Sequence, residues 1–140
     1  MLSDEEVLER LPGIRIDHDY KAYYRGLLEH RLLLNRCSAC GAWHHPPKPS
    51  CPKCWSWEVT PTEVEGRGQV YLFSFLNGQP AHDDPSQPFP VASIELAEGV
   101  RFTSTIVDCP KHELAIGLPV ELTWIERDGM PFPAFRPSRG

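Results

Sequence analysis

The stretch CSACGAWHHPPKPSCPKC, residues 37–54, decides how the first half of this chain folds. It holds two Cys-x-x-Cys pairs, Cys37 with Cys40 and Cys51 with Cys54, separated by ten residues. Two residues between cysteines let both thiolates of a turn point at one ion, and zinc takes four such donors in a tetrahedron. The gap suits two knuckles facing one another across a small ribbon, with Gly41 placed for the tight turn after the first. The loop between the pairs, residues 41–50, carries three prolines and one glycine, which precludes a helix. All four donors are thiolates, so no position is left open for water or substrate. Such a site is expected to stabilise the fold and to do no Lewis-acid chemistry. Iron takes the same four ligands, and spacing does not choose between the metals. His44 and His45 are alternative donors; with four cysteines present they are expected at the surface or at an interface. A redox CxxC would stand alone at a helix N-terminus within a βαβ pattern, and that context is absent.

Upstream of the ribbon, Ser3 and Glu6 have capping-box spacing, and Val7, Leu8 and Leu11 fall on one face of a short helix that stops before Pro12. Asp17 or Asp19 is placed to cap a second helix over residues 20–29. Its Tyr20, Tyr23, Tyr24, Leu27 and Leu28 make a broad apolar and aromatic stripe. That stripe suits either this chain's own core or a partner protein. Residues 31–36, RLLLNR, read as the strand entering the first knuckle.

Downstream the pattern is β. Strands are expected at 59–64, 69–76, 91–97, 101–107, 120–127 and 132–135. Gly66-Arg67-Gly68 marks a bend or bulge, residues 77–90 a long exposed loop, Glu98-Gly99 and Asp128-Gly129 tight turns, and 108–117 room for one helical turn. Short strands separated by turns suggest a small closed or partly closed barrel. Tyr71, Phe73 and Phe75 alternate along one strand, which puts them on one face, and the barrel interior is the expected place for it.

Bulk properties narrow the function. No apolar run approaches the roughly 20 residues of a membrane span, and the opening MLSDEEVLER is acidic where a secretory signal would be basic and then apolar. A cytoplasmic location follows as the expectation, and in a reducing compartment paired CxxC motifs favour metal over disulfides. Cys109 is left over and reads as a partly buried small apolar residue. The chain carries 14 basic and 19 acidic residues, a formal net charge of −5. Residues 31–60 reverse the balance, with Arg31, Arg36, Lys48 and Lys53 against Glu58 alone, while 71–100 hold Asp83, Asp84, Glu95 and Glu98 and no basic residue. A nucleic-acid binder shows a continuous basic stripe with interleaved aromatics; this one does not. There is no GxSxG, Walker loop, HExxH or GxGxxG. The polar clusters His82-Asp83-Asp84 and Lys111-His112-Glu113 fall in expected loops and read as solvated surface. No catalytic residue is assigned.

Taken in order, YKAYYRGLLEHRLLLNRC (20–37), the ribbon, GRGQVYLFSF (66–75), PFPVASIELAEGVRFTSTIVD (88–108), IGLPVEL (116–122) and PAFRP (133–137) resemble the DUF35 family. The resemblance runs from about Asp19 to Pro137. The CxxC knuckles are common to many families; their combination with PP before the second knuckle and GRG after the ribbon is more specific. It implies a mainly β protein: N-terminal helices in 1–30, a rubredoxin-like zinc ribbon in 31–57, and a five-stranded OB-fold barrel with a C-terminal tail in 58–140. Such proteins are non-catalytic partners of thiolase-fold enzymes. Some belong to archaeal acetoacetyl-CoA thiolase and hydroxymethylglutaryl-CoA synthase assemblies, others to actinobacterial lipid-transfer-protein-like thiolases and steroid side-chain aldolases. The resemblance therefore implies a hetero-oligomer in which helices and ribbon dock on a thiolase-fold subunit and the OB-fold helps to cover an acyl-CoA channel. It carries over the metal set Cys37, Cys40, Cys51 and Cys54, with zinc in a structural role. Two other readings stay open: a single-strand nucleic-acid module, and direct CoA binding through Arg101, Arg127 or Arg136.

Overall fold

The computed structural model describes residues 2–10, 18–76, 89–127 and 129–138. The chain separates into two compact units, Met1–Val64 with Ile125–Phe132, and Glu65–Trp124 with Pro133–Gly140.

In the first unit, helix α1 spans Asp4–Arg10 and opens on a true capping box. The Ser3 amide donates to Glu6 Oε2 at 2.9 Å and the Glu6 amide to Ser3 Oγ at 3.2 Å, which satisfies two donors the helix itself leaves bare. Val7 is fully buried, whereas Leu8 is exposed and Leu11 lies outside the described residues. Helix α2 covers Lys21–Leu28 after a 3-10 turn at His18–Tyr20. The expected aspartate cap is not made: Tyr20 holds the cap position with no side-chain bond, and Asp17 lies outside the described residues. The preceding 3-10 turn takes over the chain entry that Asp19 was expected to provide.

Helix α2 ends in a Schellman motif. His30 sits at φ 57°, its amide bonds Leu27 O at 3.0 Å, and the Arg31 amide bonds Gly26 O at 2.8 Å. Gly26 is required by close packing, since a Cβ there would stand 2.7 Å from Arg31 O and 2.9 Å from Leu33 Cγ. Leu27 is buried, so that part of the aromatic stripe faces this chain's own core. The following strands, β1 (Leu33–Cys37), β2 (Trp43–His44) and β3 (Val59–Glu63), form an antiparallel sheet in the order β2-β1-β3. Cys37 pairs with Val59 and Leu33 with Glu63. Pro61 is tolerated because β3 is an edge.

The second unit is built on a five-stranded antiparallel sheet, β4 (Arg67–Leu76), β5 (Phe89–Leu96), β6 (Arg101–Ser104), β7 (Pro119–Arg127) and β8 (Met130–Pro137), in the order β6-β5-β4-β7-β8, of which the end of β7 from Ile125 and the start of β8 to Phe132 are grouped with the first unit. The sheet curls until its two edges meet. Ile106, just past β6, makes a parallel bridge to Phe135 of β8, with Val107 N to Phe135 O at 2.8 Å and Phe135 N to Thr105 O at 2.9 Å. This is the partly closed five-stranded arrangement of an OB-fold. Val70, Ile94, Phe102, Val120 and Phe135 are buried within the curl.

Several local expectations shift. The bend falls at Gly66 (φ 80°), while Gly68 lies inside β4, where a Cβ would meet Glu95 O at 2.3 Å. Phe89 and Pro90, expected in the loop, begin β5 instead; residues 77–88 lie outside the described part. The bulge is at Tyr71. Val70 pairs with Ile94 and Leu72 with Ser93, so Tyr71 is the extra residue. Phe73 returns opposite buried Ala92, whereas Tyr71 lies under the guanidinium of Arg101, which is paired to Glu95 on the other face. The three aromatics therefore do not share a face, and none is fully buried. The Glu98-Gly99 turn is present with Gly99 at φ 94°, and the one helical turn is a 3-10 turn at Lys111–Glu113. Among the described residues no helix is long and apolar enough to cross a membrane.

Candidate metal centre

The two knuckles are copies of one another in the backbone. In the first, the Gly41 amide bonds Cys37 O and the Cys37 amide bonds Ala42 O; in the second, the Trp55 amide bonds Cys51 O and the Cys51 amide bonds Ser56 O, all at 2.8 Å. Each turn closes with a left-handed residue after its second cysteine, Gly41 at φ 79° and Trp55 at φ 67°. Strand β1 delivers Cys37 and its pairing with β3 anchors that end of the knuckle. The first cysteine of each pair is buried and the second exposed.

The four Sγ atoms lie within 4.8 Å of one another, with Cys37 to Cys54 at 3.6 Å and Cys40 to Cys51 at 3.7 Å. A tetrahedron with Zn–S bonds of about 2.3 Å has edges of about 3.8 Å, whereas a disulfide needs about 2.05 Å. The sulfurs are spaced for a metal and are not cross-linked. Zinc fits this donor set. The Cys37 thiol is lowered by the backbone N–H at Cys40 and, beyond it, that at Ala39, which together outweigh burial. Cys51 is lowered to about 7, first by the N–H at Cys54 and then by that at Lys53, whose amide lies 3.4 Å from Sγ. At Cys54 the N–H at Ser56 acts in the same direction. Burial and the sulfurs of Cys37, Cys40 and Cys51 outweigh it and push the thiol up to about 12. Sulfur alone therefore disfavours a fully ionised set, and a divalent cation at the centre reverses that balance. When bound, the metal would be held by Cys37, Cys40, Cys51 and Cys54 and would supply folding energy.

Neither histidine joins the sulfur cluster, and of the two His44 lies inside the unit and not at its surface. His44 is buried on β2 with its Nε2 at 3.3 Å from Asn35 Nδ2, and burial lowers its pKa. His45 is half-buried with its ring 5.2 Å from that of Tyr23; burial and then the His44 charge lower it to about 4. Tyr20, Tyr23 and Tyr24 form one aromatic cluster with centroid separations of 5.3 to 6.2 Å. Tyr23 is raised by burial and by its two tyrosine neighbours.

Of the remaining candidates, Cys109 is half-buried, donates to Pro110 O at 3.5 Å and is raised by burial and then Glu113, the opposite of an activated thiol. Lys111, His112 and Glu113 sit exposed on their 3-10 turn, with Lys111 Nζ 5.0 Å from the Phe75 ring centroid. His82, Asp83 and Asp84 lie outside the described residues. Arg101 stacks on Tyr71 at 3.6 Å and Arg136 pairs with Glu121 at 3.4 Å, and both side chains remain about half exposed. What sequence reasoning missed is the exposure of Trp55 and Trp57, each 77% accessible.

A family model described as the ChsH2 rubredoxin-like zinc ribbon domain matches residues 25–59, and one described as the ChsH2 C-terminal OB-fold domain matches 61–124. The chain is 36% identical over 110 residues to a DUF35 domain-containing scaffold protein of Methanocaldococcus jannaschii, covering 76% of this chain and 78% of the relative. It is 36% identical over 128 residues to a probable enoyl-CoA hydratase alpha subunit of Thermomonospora curvata, covering 91% of this chain but only 40% of the relative. Its backbone superposes on a chain of the solved Ltp2-ChsH2(DUF35) aldolase with a TM-score of 0.78 and 35% identity, covering 89% of this chain and 98% of that chain.

Proposed function

We propose, since this chain belongs to the DUF35 family of ChsH2-type zinc-ribbon and OB-fold proteins, that it is a non-catalytic accessory subunit of an acyl-CoA enzyme. In this reading it docks on a thiolase-fold catalytic subunit in the cytoplasm and helps to form the channel for the acyl-CoA. One observation carries the reading: similarity to a chain of a two-component aldolase extends over 98% of that chain. The closed four-thiolate centre supports it, because a staple holds a surface in shape and leaves the chemistry to the other subunit. The single-strand alternative has less support, since the bulge at Tyr71 splits the stacking platform across two faces of the sheet.

In the complex, this chain's residues position and shield. Cys37, Cys40, Cys51 and Cys54 fix the two knuckles; the strands of the OB-fold present a rigid wall. The test is to mix the purified zinc-loaded chain with the Ltp2-type protein of its own host. Co-elution on size exclusion, together with a gain in retro-aldol or thiolytic turnover of an acyl-CoA, is expected. Separate elution with unchanged turnover would sink the reading.

A further inference from the structure

The two knuckles share one backbone but not one residue at the left-handed position. Gly41 occupies it in the first, where no side chain is strained, and Trp55 occupies it in the second at φ 67°. A left-handed conformation is unfavourable for a residue with a Cβ, and a large side chain ordinarily compensates by burial. Trp55 does not: it is 77% exposed, and Trp57, two residues on, is equally so. The left-handed backbone itself serves the knuckle, whose Trp55 amide closes on Cys51 O at 2.8 Å, but the first knuckle makes the same turn with glycine, so the turn does not require the exposed indole, and strain of this kind gathers where a protein binds.

We propose that Trp55 and Trp57 are the anchor by which the second knuckle docks into an apolar, acid-rimmed pocket of the catalytic subunit. This rests on the accessory-subunit reading above. Tryptophan is the residue most enriched among binding hot spots, and a turn clamped by four sulfurs presents it without an ordering cost on association. The charge nearby selects the occupant. Lys53 is exposed within the second knuckle and Lys48 on the loop leading to it, Glu58 beside Trp57 is the one acidic residue of 31–60, and that segment carries a positive excess in a chain whose net charge is −5. A second copy meeting this face by twofold symmetry would set those lysines against their own counterparts, whereas an acidic rim complements them.

The experiment compares the wild-type chain with Trp55→Gly and Trp57→Ala, each zinc-loaded, using the host's Ltp2-type protein as the probe. Affinity by titration calorimetry is expected to fall by about 30-fold or more for W55G, and by a smaller factor for W57A. Zinc content should stay unchanged, and the denaturation midpoint of W55G should hold or rise, because glycine relieves the strain at φ 67°. A W55G chain with a lower midpoint or lost zinc but wild-type affinity would make Trp55 a structural cap and overturn the inference. Unchanged affinity in both variants would also overturn it while leaving the accessory role intact. Concentration-dependent self-association abolished by W55G would reassign the patch to a second copy. If the wild-type chain binds no such subunit, the proposed function fails first and the anchor with it.

Discussion

The two units reach a folded state with different materials. The ribbon unit has Val7, Leu27, Leu32, Leu34 and Val64 in its interior, and two more of its buried residues, Cys37 and Cys51, belong to the four-sulfur cluster positioned for a metal. The OB unit buries Val70, Ile94, Leu96, Phe102, Ile106, Val120 and Phe135 and joins its sheet edges through backbone hydrogen bonds at Phe135. The first gathers four sulfurs at a site positioned for a metal, the second rests on apolar area. Perturbations should therefore separate the two units by mechanism.

The largest effect should come from the metal. Chelation, or Cys51→Ser, removes a structural site that contributes on the order of 10 kcal/mol in comparable small zinc domains. Amide resonances of β1–β3 should collapse while those of β4–β6 keep their dispersion. Loss of both sets together would mean that the OB unit depends on the ribbon; retention of both would mean that the cysteines are dispensable. Next is Phe135→Ala. Phe135 is fully buried with its ring 6.3 Å from that of Phe102, so truncation should cost about 3–5 kcal/mol. Zinc should remain at one ion per chain by colorimetric assay. Zinc release by this variant would break the comparison.

The same contrast explains what could be read from the sequence. Metal chemistry is written in residue identity and spacing, so Cys37, Cys40, Cys51 and Cys54 were legible at once, as was the β character of the remainder. The departures are places where backbone geometry has no residue signature. The Schellman end of α2 uses His30 where glycine is the usual sign, and the second knuckle uses Trp55. The bulge at Tyr71 inverts the face of one aromatic within a run whose alternation is otherwise regular. The stripe on α2 was ambiguous because its period shows a face but not what covers it. Leu27 is now placed in this chain's own core, so a charged residue there would unfold the unit before it affected any partner.

A third effect, smaller, tests the ribbon unit through protons. His45 is lowered to about 4 by burial and then by His44, against 6.5 for the free side chain. The unfolded chain binds that proton more readily, so stability is complete above about pH 6.5 and is lost as pH falls toward 4. Partial solvent screening limits the effect to about 2 kcal/mol or less. His45→Gln should flatten this part of the pH profile, measured as the difference from wild type so that acid-driven zinc release cancels. An unchanged profile would show that His45 takes its proton without disturbing the fold.

The smallest effect, and the most local, is Ser3→Ala. The Ser3 hydroxyl accepts the Glu6 amide at 3.2 Å, and its loss should cost about 1 kcal/mol. Glu6 still reaches the residue 3 amide, so half of the box survives and α1 should fray without detaching. Val7 remains as the buried contact, and Asp4 stays paired with Arg25 and, at 3.8 Å, with Lys21. Hydrogen exchange should therefore quicken at the start of α1, less at α2, and not at all in β4–β6. Equal acceleration in both units would mean that they unfold as one, and the division of labour between sulfur and apolar core would then describe composition and not cooperativity.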